Sequence, residues 1–496
     1  MNITASKLYD YTQCRHKVWR DANGPQNEKN PEDNPFVKLL WEKGVLHEQA
    51  IVESIGDFAD LSEGTLDDRF ERTLEAIKDK KELIYQGVLL HGNDRGIPDL
   101  LKRMPSDAYV PVDIKSGMAF EGQNDDNEND RKPKIHYAVQ LCFYVDLLNN
   151  LGIKNTSNGA IIDISGSEFV YDLDSKRGQR APLTMRGEYR EIKDDVAALI
   201  KNTKSNKPAL SSKCKMCPWY QSCKKWCKDN GDLTNIFYVG MAKRDAINED
   251  LGIEKLDEVA DMDIKEIMLR KKKDKSFLPG VGESTLKKII KRAEVLESGK
   301  PLVADGIKFP KVMYDLFFDI EADPTQDFVY MHGIYERGPE GERYVDFTAK
   351  EVTPKEEVRI WSDFWKYIDT LPKDDYAVYY YSSYEKASYK RLQKKYPDVI
   401  SEDKIEQFFD NPNVIDLYNK VILKKTEWPL NSYSIKDIAV FLGFSWEDDT
   451  PSGALSIEWF NQYVKTRDQK DLNRILIYNK DDCKATMVIK DYLDNS

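Results

Sequence analysis

The sequence predicts an α/β protein of several domains. A mixed sheet with helices comes first, a small all-α segment follows, and a second α/β region ends the chain. One observation is length, because 496 residues exceed what a single hydrophobic core normally organises. Another is that apolar strand-like runs alternate with helical patterns twice, once on each side of a wholly helical segment. We therefore expect domains at residues 1–231, 232–308 and 309–496.

The first domain opens with a helical pattern at residues 34–55, where apolar residues recur every three or four positions. A second helical pattern covers residues 136–148, and the acidic stretch before it, residues 121–134, is predicted to be a mobile loop. The strand-like runs are ELIYQGVLL (82–90), IPDLLKRM (97–104), AYVPVDIKSG (108–117) and GAIIDI (159–164). This order of helices and strands is typical of a mixed central sheet.

The bulk composition indicates a soluble globular protein, with 41 % hydrophobic and 32 % charged residues. No apolar run reaches the roughly 18 residues that a membrane span needs, and the first residues lack the pattern of a signal peptide. We therefore expect a cytoplasmic protein without a membrane partner, in which cysteines stay reduced. The net charge of −12 argues weakly against a nucleic-acid partner, although a basic surface can be local.

A cysteine motif closes the first domain and contains four of the seven cysteines, Cys214, Cys217, Cys223 and Cys227. In a reducing compartment, clustered cysteines indicate metal ligands before they indicate disulfides. Taken by itself, the C-x2-C-x5-C-x3-C spacing suits a self-contained zinc site.

Four short motifs in the first domain carry candidate chemistry. They are Gly44-x-x-His47, Gly96-x-x-Asp99, Asp113-x-Lys115 and Gln140-x-x-x-Tyr144. Two carboxylates at adjacent strand ends can hold a divalent cation with a histidine as third ligand. In Asp113-x-Lys115 the strand period of two places both side chains on one face of the sheet. The alternative is that Asp113 and Lys115 form an ordinary surface salt pair and that His47 has no ligand role.

The order of these motifs resembles that of the PD-(D/E)XK nucleases, specifically their RecB-like branch, over about residues 1–230. The resemblance implies a restriction-endonuclease-like fold and a nuclease activity. Its implied ligands for Mg²⁺ or Mn²⁺ are His47, Asp99 and Asp113. By the same resemblance, Lys115 would position the attacking water, while Gln140 and Tyr144 would support the site and touch the DNA backbone.

The RecB-like branch also carries a four-iron, four-sulfur cluster, and its cysteine pattern has one member far upstream of the nuclease core. The resemblance therefore implies a cluster bound by Cys14, Cys214, Cys217 and Cys223. Such a cluster would join the start of the chain to the end of the domain, and would not itself cut. Cys227 is not required by the family pattern, so zinc bound by the last four cysteines remains the alternative.

The middle segment contains FLPGVGESTLKKIIKRAEVL, a glycine turn followed by a helix with lysines at successive turns. This pattern suits a helix–hairpin–helix, in which backbone N–H groups at a helix N-terminus bind a phosphate. The candidate nucleic-acid-binding residues are Gly280, Gly282, Lys287 and Lys288. The alternative is a packing element without a ligand.

The last domain begins with a strand that places Asp319 and Glu321 on one face, and a later helix places Tyr478 and Asp482 four residues apart. Carboxylates around two cations about 4 Å apart form the two-metal arrangement for phosphodiester hydrolysis. A tyrosine hydroxyl can orient the attacking water.

This set resembles the RNase H-like DEDD exonucleases of the tyrosine subclass, which usually act from the 3′ end, over about residues 310–496. The resemblance implies metal binding by Asp319, Glu321 and Asp482, with Tyr478 orienting the water. For the second motif of that family the best match is Glu385, where relatives commonly have Asp, and Asp416 is the fallback.

We therefore expect a metal-dependent DNA nuclease with two sites, the N-terminal one cutting single strands or ends and the C-terminal one trimming 3′ ends. RNA is left open as a substrate. In the alternative, only the N-terminal site cuts and the C-terminal domain is a binding or helicase-docking scaffold. A third possibility is a non-catalytic adaptor that loads a helicase. A separate helicase is a candidate partner, because the sequence has no Gly-x4-Gly-Lys-Ser/Thr motif.

Overall fold

A computed structural model describes residues 2–30, 35–121, 131–179 and 181–496, without the side chains of residues 35 and 36. The core of the predicted mobile loop, residues 122–130, lies outside the described residues. The chain divides into two compact units, Met1–Lys225 and Trp226–Ser496. None of the helices in the described part is both long enough and apolar enough to span a membrane. The predicted mixed α/β fold class is confirmed, as the two sheets below show.

In sequence order, helices precede, interrupt and follow the strands of the first unit's largest sheet. The helices are α1 (Ala5–Gln13), α2 (Arg15–Asn23), α3 (Pro35–Ile55), α4 (Leu66–Lys78), α5 (Ile135–Asn150) and α6 (Met185–Ile200), and the unit division falls within α7 (Tyr220–Asp229). The strands are β1 (Ile3–Thr4), β2 (Ala59–Asp60), β3 (Leu83–Tyr85), β4 (Leu89–His91), β5 (Asp94–Gly96), β6 (Leu100–Arg103), β7 (Tyr109–Ile114), β8 (Phe120–Glu121), β9 (Lys132–Pro133), β10 (Gly159–Ile162) and β11 (Glu168–Tyr171).

The main sheet of this unit has six strands in the order β11-β10-β7-β6-β3-β2. It is mixed, because β7 pairs parallel with β10 and antiparallel with β6. Every residue of β7 is buried, as expected of a central strand covered on both faces. Helix α5 packs on β7 and β10, and eleven of its residues are buried, which explains its nearly continuous apolar sequence.

One predicted strand, residues 82–90, is two strands in the structure. β3 belongs to the main sheet, whereas β4 belongs to a three-stranded sheet of order β1-β5-β4. The break falls at Gln86, whose φ of 55° is left-handed and turns the chain. The Gln86 N–H donates to the carbonyl of Asp99 at 2.9 Å, so the turn is tied to a candidate site residue. The spacing of apolar residues does not reveal this break, because apolar residues occur on both sides of Gln86.

The second unit also combines helices with one large sheet. The helices are α8 (Met241–Leu251), α9 (Ile264–Lys273), α10 (Glu283–Ser298), α11 (Pro354–Thr370), α12 (Tyr384–Lys395), α13 (Glu402–Asp410), α14 (Leu423–Lys425), α15 (Ile435–Phe441), α16 (Gly453–Thr466) and α17 (Gln469–Asp494). The strands are β12 (Leu302–Val303), β13 (Tyr314–Asp323), β14 (Phe328–Gly338), β15 (Gly341–Thr348), β16 (Tyr376–Tyr380), β17 (Val414–Asp416) and β18 (Thr426–Glu427).

The helices between residues 241 and 298 contain the predicted helix–hairpin–helix turn. Leu278, Val281 and Leu286 are buried and anchor the turn between α9 and α10. Within this second unit, Arg292 of α10 forms a buried ion pair with Glu427 of β18 at 2.6 Å. The predicted limits of 232 and 308 for a separate middle domain stay a prediction.

The large sheet of the second unit has five strands in the order β15-β14-β13-β16-β17. β13 pairs antiparallel with β14 and parallel with β16, and it carries a bulge between Glu321 and Ala322. The long helix α17 packs across β13, β14 and β16. Close contact with β14 requires glycine at Gly333, where a Cβ atom would collide with the Asn479 side chain. Helix α17 is thereby brought against the strand that carries Asp319 and Glu321.

Candidate functional site

Three carboxylates of the second unit converge where α17 crosses β13. One oxygen from each of Asp319, Glu321 and Asp482 lies within 4.8 Å of the others, and no other such group of histidine, cysteine or acidic side chains occurs among the described residues. Asp319 and Glu321 share a face because the strand period is two. Asp482 lies on α17, which is the helix predicted to carry both Tyr478 and Asp482.

The electrostatics of this group fit a divalent cation. Burial, together with the Asp482 charge, raises the pKa of Glu321 to about 8. Burial also raises the pKa of Asp319 well above its ordinary value, with further contributions from Glu321 and Asp482. Carboxylates that repel one another in a buried site are stabilised by a positive charge between them. Their hard oxygen donors suit Mg²⁺ or Mn²⁺.

Two neutral donors hold these carboxylates in place. The Asn479 side chain donates from Nδ2 to Asp319 Oδ2 at 2.7 Å and to Glu321 Oε1 at 3.4 Å. The Trp446 indole donates to Asp482 Oδ1 at 2.7 Å. Sequence reasoning missed both residues. The signal for Asn479 was its position three residues before Asp482 on the same helix, whereas Trp446 carries no local signal.

The predicted water-orienting residue, Tyr478, lies beside the carboxylates. Burial raises its pKa well above the ordinary value, with Asp482 contributing next. Lys436 Nζ lies 3.2 Å from the Tyr478 hydroxyl and donates to it, and also donates to the carbonyl of Pro451 at 2.7 Å. Lys436 was not predicted, because it precedes Tyr478 by 42 residues and no periodic pattern links them.

Glu385 lies near the carboxylate group but does not belong to it. It is buried in the first turn of α12 and accepts from Ser382 Oγ at 3.5 Å. Burial raises its pKa to about 8, and its charge contributes to raising the pKa of Asp319. The fallback residue, Asp416, uses both carboxylate oxygens to bind Asn419, accepting from its backbone N–H at 2.8 Å and its side-chain amide at 2.7 Å. Asp416 is therefore occupied as a helix cap.

In the first unit, Asp99, Asp113 and Lys115 meet where β6 begins and β7 ends. Lys115 Nζ lies 2.9 Å from Asp113 Oδ2, and the Ile114 N–H donates to Asp99 Oδ2 at 2.7 Å. Burial, followed by the Asp113 charge, raises the pKa of Asp99 to about 8. Burial by itself lowers the pKa of Lys115, but the carboxylates of Asp113 and Asp99 outweigh it and raise that pKa. Asp113 is buried and Lys115 is partly buried, so this pair is not an exposed surface salt pair.

The predicted supporting residues lie on α5, facing this cluster. Tyr144 is buried, and its hydroxyl donates to the Ile97 carbonyl at 3.3 Å. Glycine at Gly96 permits the approach, because a Cβ atom there would come within 2.9 Å of the Tyr144 ring. Gln140 is buried, and in the described part of the chain its Oε1 has no hydrogen-bond partner. An orphaned buried acceptor in a site is consistent with a missing donor or cation.

His47 is not brought into a close group with the two aspartates. Its Nε2 lies 3.2 Å from the backbone oxygen of Asp163. The charge of the next residue, Glu48, contributes to raising the pKa of Asp99. Glu48 accepts from the hydroxyl of Tyr85 and from Nε2 of Gln86, each at 2.9 Å. Gln86 Nε2 is also 3.3 Å from Asp99 Oδ1 and so bridges the two acids. Glu48 was missed, although its position beside a predicted ligand was a usable signal.

The cysteines predicted to bind a cluster lie together in the first unit. All are free thiols, and the charges of Cys14 and Cys214 act on Cys217. Burial raises the pKa of Cys217 to about 11 and that of Cys223 to about 12. Among the residues that the structure describes, no three cysteine sulfurs lie within 4.8 Å of one another. Cys227 is buried and accepts from Thr234 Oγ1 at 3.8 Å.

Several polar contacts join the start of the chain to the cysteine motif. They are Lys213 to Gln13 at 2.7 Å, Arg20 to Ser222 at 3.0 Å, Trp219 to Asp21 at 2.9 Å and the Asn30 N–H to the Pro218 carbonyl at 2.9 Å. The two segments are about 200 residues apart in sequence, as the separation of 202 between Arg20 and Ser222 shows. The cysteine motif thus lies where the N-terminal helices meet the end of the first unit.

The predicted phosphate-binding turn has an open helix terminus. Gly280 has a φ of 73°, and Gly282 caps α10 without a side-chain hydrogen bond. Apart from the residues adjacent in the chain, no atom of the described residues lies within 4 Å of a Cβ built at either glycine. Lys287 is exposed and pairs with Glu283 at 2.6 Å. The N-terminal N–H groups of α10 are therefore accessible to a ligand.

Two family models match separate parts of the chain. The family model of the PD-(D/E)XK nuclease superfamily matches residues 9–224, and that of the RNase H superfamily matches residues 316–494. No curated protein and no solved structure matches the chain. The chain therefore contains a PD-(D/E)XK nuclease domain and an RNase H-like domain. The finer assignment of the first domain to the RecB-like branch stays a prediction.

Proposed function

We propose that this protein is a metal-dependent nuclease with two active sites that hydrolyses phosphodiester bonds of DNA, in single strands or at ends. The observation that carries the proposal is the convergence of Asp319, Glu321 and Asp482 within 4.8 Å, in a domain that matches the RNase H superfamily. The family match of the first domain extends the proposal to a second site.

In the C-terminal site, Asp319, Glu321 and Asp482 would hold Mg²⁺ or Mn²⁺. A bound cation supplies charge stabilisation at the phosphoryl group and lowers the pKa of water. Tyr478 would orient the attacking water through its hydroxyl, and the site would release nucleotides from the 3′ end. Glu385 is proposed to contribute from the edge of the site, since its charge acts on Asp319.

In the N-terminal site, Asp99 and Asp113 would hold the cation, with His47 as a further ligand. Lys115 would position the attacking water, because its ammonium group lies 2.9 Å from Asp113. The unpartnered Gln140 Oε1 supports a role for Gln140 at the substrate or the cation, with Tyr144 holding the strand end that carries Asp99.

For the cysteines we propose a four-iron, four-sulfur cluster bound by Cys14, Cys214, Cys217 and Cys223. Support comes from the proximity of these thiols, because the charges of Cys217, Cys14 and Cys214 all act on Cys223. Cys14 belongs to the proposed cluster set and not to the alternative zinc set. A cluster would clamp the N-terminal helices to the end of the domain.

For the middle segment we propose that the α10 N-terminus, with Gly280 and Gly282, binds a backbone phosphate and that Lys287 and Lys288 add positive charge. The open terminus of α10 supports this role. Binding there would hold nucleic acid without reading its sequence. A separate helicase partner stays a prediction.

The test uses anaerobically purified protein with Mn²⁺ and single-stranded DNA labelled at either end. Wild type is compared with Asp113→Ala and Asp319→Ala, and a single-stranded RNA of the same sequence tests the nucleic-acid class. We expect each substitution to remove a different set of products. If cleavage is unchanged in both variants, the proposed sites are wrong.

A second candidate function follows from the position of Glu385 outside the close carboxylate group. If four carboxylates are required, the C-terminal domain binds nucleic acid without cutting it. In that case Asp113→Ala alone silences the enzyme, and Asp319→Ala leaves every product unchanged.

A further inference from the structure

A lysine from outside the predicted motifs reaches the tyrosine of the C-terminal site. Lys436 lies in the first turns of α15, and its ammonium group donates to the Tyr478 hydroxyl at 3.2 Å. The same group lies 4.8 Å from the centroid of the Tyr478 ring and 5.8 Å from that of Trp446. Trp446 in turn donates to Asp482, so Lys436 contacts two residues that border the carboxylates.

The second contact of Lys436 fixes its position. Its Nζ donates to the Pro451 carbonyl at 2.7 Å, in the loop that precedes α16. A lysine side chain tied to a backbone acceptor and lying near an aromatic ring loses most of its freedom to swing into solvent. Lys436 is therefore a fixed donor directed at Tyr478 rather than a mobile surface charge.

A fixed donor constrains how the tyrosine hydroxyl is used. A phenol has one O–H donor and accepts through its oxygen lone pairs. When Lys436 occupies an acceptor direction, the O–H and the remaining lone pair are left to contact water and neighbouring carboxylates. This sets the direction in which a bound water is held, and misplacement of a reacting group by about 1 Å can cost about 100-fold in rate.

We propose that Lys436 is a positioning residue that holds the Tyr478 hydroxyl in the orientation needed to direct the attacking water. The inference rests on the proposed function of the C-terminal site. It assigns Lys436 no direct contact with the scissile phosphate, which distinguishes it from a phosphate-binding lysine.

The test measures steady-state release of nucleotides from 3′-labelled single-stranded DNA by the full chain. We expect Lys436→Met to lower kcat about 10- to 100-fold with KM changed less than twofold. Lys436→Arg keeps a cationic donor and should retain at least about one third of the wild-type kcat. The matched control is Lys480→Met, which removes a lysine of α17 that pairs with Glu447, and should leave kcat unchanged.

Coupling to Tyr478 separates positioning from a structural role. In a Tyr478→Phe background, Lys436→Met should cause less than a further twofold loss, since the hydroxyl it positions is already absent. If the double variant loses kcat by the product of the factors measured for Lys436→Met and Tyr478→Phe alone, the proposal is overturned. Equal loss of kcat in Lys436→Arg and Lys436→Met would also overturn it.

Binding provides a readout apart from turnover. With Ca²⁺ in place of Mn²⁺, fluorescence anisotropy of labelled single-stranded DNA should give the same Kd for wild type and Lys436→Met within twofold. A tenfold weaker Kd with unchanged kcat would make Lys436 a phosphate contact and overturn the proposal. Asp319→Asn separates the two hypotheses. If it leaves 3′ release intact, the proposed function of the site is wrong, and the role of Lys436 falls with it.

Discussion

The two carboxylate sites differ in what balances their charge. In the first unit, Asp113 has a lysine 2.9 Å away, so part of its charge is neutralised by the protein itself. In the second unit, Asp319 and Glu321 are held by the neutral amide of Asn479 and repel each other and Asp482. The charge of Lys436 acts on Asp482 and Glu321, but the pKa values of both carboxyls stay raised. The C-terminal site therefore depends more on a bound cation, whereas Asp113 of the N-terminal site has a lysine in direct contact.

The two units also differ in how distant segments are joined. The first unit brings Cys14 to a cysteine motif some 200 residues later, with polar contacts such as Arg20 to Ser222 around it. The second unit relies on packing of α17 against its sheet, with a large apolar core that includes Trp428 and Tyr379. Loss of the proposed cysteine-bound cluster should therefore lower the free energy of unfolding of the first unit more than that of the second unit.

The largest expected effect is on the cysteine cluster. Cys217→Ser should remove iron and lower the free energy of unfolding of the first unit by about 3 kcal/mol, because a cross-link across a long loop is lost. Elemental analysis and calorimetry measure both quantities. Cys142→Ser, at a buried cysteine of α5 outside the cluster, is the control for iron content and should leave it unchanged. Zinc without iron in wild type would contradict the cluster.

The next largest expected effect is on the rate of 3′ trimming, and it tests whether Glu385 or Asp416 contributes to the C-terminal site. Glu385→Gln should lower 3′ trimming about 100-fold, since its charge reaches Asp319. Asp416→Asn should lower trimming less than about fivefold, because both Asp416 oxygens already bind Asn419. Rates on 3′-labelled DNA measure the difference. The reverse order would make Asp416 the member of the active site.

Two substitutions test the difference in charge balance between the two sites, in protein without added divalent metal. Asp113→Asn should destabilise the protein by about 2 kcal/mol, because Lys115 loses its partner. At a pH above about 8, where the Glu321 carboxyl is ionised, Asp319→Asn should stabilise it by about 1 kcal/mol, because repulsion from Glu321 and Asp482 is relieved. Calorimetry in the presence of EDTA measures both. Changes of the same sign would remove the proposed difference between the sites.

The smallest effect concerns the glycines that let helices approach strands. Gly96→Ala and Gly333→Ala should each lower the free energy of unfolding by about 1 to 3 kcal/mol, through contact with Tyr144 and Asn479. Gly240→Ala, where no atom lies within 4 Å of the new Cβ, should change it by less than about 0.5 kcal/mol. Denaturant titration measures all three. A loss at Gly240 equal to the others would rule out the steric reason.

Much of the architecture could be predicted because it depends on local pattern. The buried strand β7 and the apolar helix α5 follow from hydrophobic periodicity, and the structure has both elements within or close to the predicted residues. Residues 82–90 were the exception, because the left-handed Gln86 that divides the run leaves no mark on the apolar pattern.

Backbone period is enough to predict which side chains share a face. Asp319 and Glu321 two apart on a strand, and Tyr478 and Asp482 four apart on a helix, have positions fixed by backbone period. Which of these faces meet depends on how the strand and the helix pack in the folded domain. Asn479 reaches Asp319 and Glu321 because Gly333 lets α17 approach the sheet. Lys436 reaches Tyr478 across 42 residues of sequence. Both contacts depend on packing between distant elements, which no local period encodes.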